Sequence, residues 1–238
     1  MCASGTCAAG RFGRFGASAA RNFLILLGMT AIAIGLSNLL IPTAEQAASV
    51  TAMSGRAFLD MLHAFDRNPF LIRVHASVGI TFVVCAALQF WPRLRRRHPT
   101  AHRRIGYVAF ISLICLPATG LACAIVYPFA GAAGIPPNVF WLTCILTCAL
   151  LSWRAVRRGD LLGHEIWITR ATAMSMGAVA LFSLYESAFV HWLHLDPHVA
   201  TAVSFWCGQA DGFLAARIWL SRKGGPIARR HALRAMGR

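Results

Sequence analysis

The stretch Ile105–Trp153, IGYVAFISLICLPATGLACAIVYPFAGAAGIPPNVFWLTCILTCALLSW, runs 49 residues without one Asp, Glu, Lys or Arg. A helix crosses a hydrocarbon core of about 30 Å with about 20 residues. The stretch therefore holds two spans, and the Pro- and Gly-rich break from Pro128 to Asn138 marks the turn between them. Composition agrees with an integral membrane protein: 57% of the residues are hydrophobic and only 13% are charged, with a mean hydropathy of +0.59.

Working outward, further apolar runs predict an all-α, polytopic helical bundle of six spans, at about 23–41, 72–91, 105–127, 138–156, 168–190 and 200–219. Residues 1–22 then form an N-terminal tail and 23–220 the membrane domain. Residues 221–238 are a basic tail, expected to be disordered or surface-bound. The formal net charge of +15 is sorted by side. Arg11, Arg14 and Arg21 precede the first span, and Arg93, Arg95, Arg96, Arg97, Arg103 and Arg104 lie between spans two and three. Arg154, Arg157, Arg158 and Arg170 flank the next turn on that side, and the rest follow Arg217. Only Arg56, Arg67 and Arg73 fall opposite. The positive-inside rule places both termini in the cytoplasm. Trp91, Trp153, Trp167 and Trp219 fall at inner ends of spans and Trp141 and Trp192 at outer ends, as expected of interfacial indoles.

This distribution also disposes of a nucleic-acid partner. The arginines are accounted for by topology, and no aromatic-basic interleaving accompanies them; membrane lipids are the expected partners. The first span has 19 uncharged residues, longer than the apolar region of a signal peptide, and reads as an uncleaved anchor. The cysteines form no Cys-x-x-Cys pair, so they read as small packing residues and no metal site is expected. In the outer connection, Phe58, Leu59, Leu62 and Phe65 recur at helical spacing, which predicts an interfacial helix.

Two inner turns align at an offset of 62 residues: Trp91 with Trp153, Arg95 with Arg157, Arg96 with Arg158, His102 with His164. As a repeat this makes spans two–three and four–five equivalent hairpins, with His102 and His164 at one depth. Any positive-inside turn also tends to hold Trp and Arg.

His75, Gln89, the His102-Arg103-Arg104-Ile105-Gly106 element, Gly159-Asp160 and the His164…Trp167-Ile-Thr-Arg170 run resemble the bacterial membrane proteins of domain-of-unknown-function family 2306. The resemblance covers roughly residues 72–190, and Glu165-Ile166 departs from it where a more basic pair is expected. It implies a multi-pass membrane protein, here of a bacterial inner membrane, and carries no reaction.

Ionisable groups within spans are costly and mark candidate sites. From the helical rise, Asn38, His75 and Glu186 lie roughly 8–9 Å outward of the midplane and are expected to form one polar site. Asp211, near the midplane, sits between Gly208 and Gly212, which permit close approach of another helix or a ligand. Such groups suit proton transfer or the head of a small ligand such as a quinone; equally, they satisfy one another between helices. A different chemistry, b-type haem, would use His102 with His164 and His75 with His191, although His102 and His164 lie in arginine-rich turns. Arg95, Arg96, Arg97, Arg157, Arg158 and Arg170 are expected to hold anionic lipid heads. The function classes left open are a proton- or ligand-handling membrane protein, a haem redox protein, and a non-catalytic structural or assembly protein.

Overall fold

The computed structural model describes residues 68–127 and 130–236, together with Ile32 and Leu36. Asn38, the rest of the first span, the N-terminal tail and the predicted interfacial helix around Phe58–Phe65 lie outside the described residues.

Within them the chain is helical throughout: α1 Pro69–Gln89, α2 Pro92–Arg97, α3 Pro99–Val126, α4 Ile135–Arg157, α5 Leu161–Ala180, α6 Phe182–His191 and α7 Pro197–Met236. Proline opens five of the seven near their first turn, where its missing N–H removes no helical bond. A short 3-10 turn, Gly131–Gly134, leads into α4. Three segments, Pro69–Gln89, Pro99–Val126 and Gly131–Arg157, are each long and apolar enough to cross a bilayer. They coincide with expected spans two, three and four.

The other two expected spans differ in outline. The run expected at 168–190 starts at Leu161, because the Asp160 carboxylate accepts the Gly163 N–H at 2.8 Å and caps α5. It is then divided at Leu181 into α5 and α6. Span six lies within α7, which continues to Met236 rather than giving way to a disordered tail. Ala and Arg, both strong helix formers, dominate 227–236 and sustain it.

Polarity is arranged as a bilayer demands. Apolar side chains such as Val84, Ile111, Ile125, Leu150 and Leu214 face outward, while Ser152, Thr172, Ser175, Thr201, Ser204 and Gln209 are buried. Phe82, Val83, Leu113, Leu116, Ile145 and Met174 form the core of α1, α3, α4 and α5, and Ile32 of the first apolar run packs against it. Trp141 packs into this core, and among the described residues its Nε1 is buried without a hydrogen-bond partner. The interface of α5 with α7 is built differently, from small residues. A methyl group at Gly177 would collide with the Gly208 carbonyl, and one at Gly212 with the Ala173 carbonyl. Both Gly208 and Gly212 are therefore spent on helix–helix contact.

Candidate functional site

His75, Glu186 and Asp211 each meet a hydroxyl on another helix. On α1, His75 Nδ1 lies 2.9 Å from Thr119 Oγ1 of α3. Gly120 gives the imidazole room: a Cβ there would stand 3.5 Å from His75 Cε1 and 3.9 Å from Asn138 Oδ1 of α4. Asn138 itself is anchored by its own helix, its Nδ2 donating to the Gly134 carbonyl at 2.8 Å. Thr119 has two further acceptors in reach, the Cys115 carbonyl at 2.9 Å and the Leu116 carbonyl at 3.0 Å.

Glu186 is on α6, and Thr201 Oγ1 of α7 stands 2.6 Å from its Oε1. The same hydroxyl lies 2.8 Å from the Pro197 carbonyl. One residue earlier on α6, the Tyr185 hydroxyl donates to Oδ2 of Asp211 on α7. Among the described residues no hydrogen bond joins His75 to Glu186, so the single polar site expected of them resolves into two. The reason is packing: α1 lies chiefly against α3, whereas α6 lies chiefly against α7. Tyr185 carries no charge and so is not among the charged in-span groups of the sequence. Its signal was only that a phenol in an apolar helix needs a partner.

At the other end of these helices lies an inner cluster. His102 and His164 are each the fourth residue of their helices, α3 and α5. In each hairpin a polar side chain from the incoming helix reaches the carbonyl of that histidine: Gln89 Nε2 donates to His102 O at 2.7 Å, and Ser152 Oγ lies 3.4 Å from His164 O. A Cβ at Gly106 would stand 3.4 Å from Gln89 Oε1, so that glycine makes room for the glutamine. Ser152 Oγ is also 2.7 Å from His164 Nδ1, whereas among the described residues His102 Nδ1 is buried without a partner. The hairpins nevertheless differ in their turns, one containing α2 and the other a tight bend at Gly159, whose φ of 73° suits glycine.

The sequence of residues 72–220 matches the model of the predicted membrane proteins DUF2306. The chain belongs to this family. The match runs beyond the resemblance over 72–190 and takes in the part of α7 up to residue 220, with Gly208, Asp211 and Gly212. No curated protein and no solved structure matches the chain.

The remaining candidates are dispersed. His191 is exposed at the end of α6, away from the helix that carries His75. Arg95, Arg96, Arg97, Arg157 and Arg158 are exposed around the inner turns, but Arg170 is half-buried with its guanidinium 4.7 Å from the Trp167 ring. Among the described residues no group of three His, Cys, Asp or Glu side chains could hold a metal ion.

Proposed function

We propose that this DUF2306 protein is a six-span protein of the bacterial inner membrane, with both termini in the cytoplasm, whose buried ionisable groups take up and release protons. The observation that carries this is the Thr201 hydroxyl placed between Glu186 Oε1 and the Pro197 carbonyl. A hydroxyl has one hydrogen and two lone pairs. With Glu186 ionised, Thr201 donates to it. With Glu186 protonated, the carboxyl donates to Thr201, which donates in turn to Pro197. Both protonation states are satisfied by one set of heavy-atom positions, so a proton comes and goes without leaving a buried group unpaired.

Thr119 offers His75 the same choice, because its hydrogen has backbone acceptors at Cys115 and Leu116 when His75 Nδ1 is itself the donor. Tyr185 serves Asp211 likewise, donating to the carboxylate or accepting from the acid. An arginine in any of these places would instead hold the carboxylate in its ionised form.

The test is proton flux into liposomes that hold the full-length protein and a trapped pH dye, driven by a potassium diffusion potential. Protein-dependent flux that falls in Glu186→Gln and in Asp211→Asn supports the proposal. Flux no greater than that of protein-free liposomes overturns it.

A second reading, b-type haem at the inner cluster, is favoured by one separate observation. Among the described residues His102 Nδ1 is buried without a partner, whereas His164 Nδ1 is held by Ser152. A ring held at Nδ1 presents Nε2 to a metal, as His164 does; on this reading His102 would be the second residue to hold the iron. Bound there, the group would supply one-electron chemistry. His75 and His191 do not fit as a second pair, given their placement. A Soret band that shifts on dithionite reduction of the purified protein supports this reading, and its absence from protein made with ample haem precursor removes it.

A further inference from the structure

The proton-handling groups leave the inner face of α2 and α3 unexplained. These two helices meet at His98, whose backbone (φ −134°, ψ 67°) turns the chain out of one helix and into the next. The corner encloses an open cleft of about 560 Å³. Arg97 and His98 line it from the end of α2, Thr100 and Arg104 from the first turns of α3, and Ala101 and Ile105 supply an apolar wall.

Every polar feature of this cleft suits an anion. Arg97 and Arg104, from successive helices, both line it, and a guanidinium presents a planar fork that matches phosphate oxygens. The first turn of α3 contains no acidic residue and no side-chain cap, so its leading amides and the positive end of a 28-residue helix add to the arginines. No Asp or Glu is among the residues that line the cleft. The apolar wall of Ala101 and Ile105 continues into the lipid-facing surface of α3 through Val108 and Ile111.

We propose that this cleft binds a phosphate group, held by Arg97 and Arg104, at the level of the inner headgroups. The phosphate is that of an anionic phospholipid or of a soluble phosphate compound, and the two are separated by experiment. The proposal is independent of the proton-handling reading, because it uses none of the same residues.

Full-length protein in detergent is offered dioleoylphosphatidic acid, dioleoylphosphatidylcholine or inorganic phosphate, and binding is read by native mass spectrometry and by titration. Arg97→Gln/Arg104→Gln is compared with Arg157→Gln/Arg158→Gln, which removes equal charge from the other inner turn. The proposal expects binding of the acidic lipid over the zwitterionic one, with a loss of at least about tenfold in the first double variant and little change in the second. A lipid source is indicated if inorganic phosphate fails to compete, and a soluble source if phosphate binds and the lipid does not. Arg97→Lys/Arg104→Lys keeps the charge without the fork and should bind at an intermediate level. Equal losses in both Gln variants, or no binding of any probe by the wild type, overturns the proposal.

Discussion

The Thr201 hydroxyl stands 2.6 Å from Glu186 Oε1 and, with the Tyr185–Asp211 bond, ties α7 to the short helix α6. Interhelical hydrogen bonds in membranes contribute about 0.6 kcal/mol on average and at most about 1.7 kcal/mol. Thr201→Val should therefore lower stability by about 1 kcal/mol, and Thr201→Ser should restore it. Thermal denaturation in detergent is the measurement, and equal stability of the Val and Ser variants would show that the bond does not matter to folding.

The α5–α7 contact predicts an asymmetry among glycines. Gly177→Ala or Gly212→Ala puts a methyl group into backbone of the facing helix, which cannot move aside like a side chain. Overpacking of this kind costs about 1–3 kcal/mol. At Gly106 the neighbour is the flexible end of Gln89, so Gly106→Ala should cost less. Melting temperatures that rank Gly106→Ala below the other two would contradict the packing described here.

Tyr185 and Asp211 should behave as a coupled pair. Asp211→Leu alone leaves the phenol without its acceptor, and Tyr185→Phe alone leaves the carboxyl without its donor. The double replacement should be less destabilising than the sum of the single ones, by about 0.6–1.7 kcal/mol. Additive losses across the double-mutant cycle would mean the two side chains do not interact.

Orientation is open to reporter fusions. Fusions after residues 98, 160 and 235 should report the cytoplasm, and those after 45, 132 and 195 the outside. An outside report at 98 or 160 would reverse the topology, because the inner assignment rests largely on the arginines of those two turns.

The sequence by itself determined that this is a helical membrane protein and where three of its spans lie. Both follow from local chemistry: a bilayer admits only long uncharged helices, and 49 residues without a charge leave no other reading. Repetition of the inner turns was also legible, because His102 and His164 keep the same register in α3 and α5. Depth followed from the helical rise, yet depth says nothing of rotation about the helix axis or of which helix is the neighbour. Those were decided by packing alone: close approach at Gly177, Gly208 and Gly212 joins α5 to α7, α6 packs on α7, and α1 packs on α3. That is why His75 meets Thr119 rather than Glu186, why Tyr185 and not a charged residue answers Asp211, and why Trp141 packs into the core. A hydrogen bond between helices depends on the angle at which each face is presented, and only the assembled bundle sets that angle.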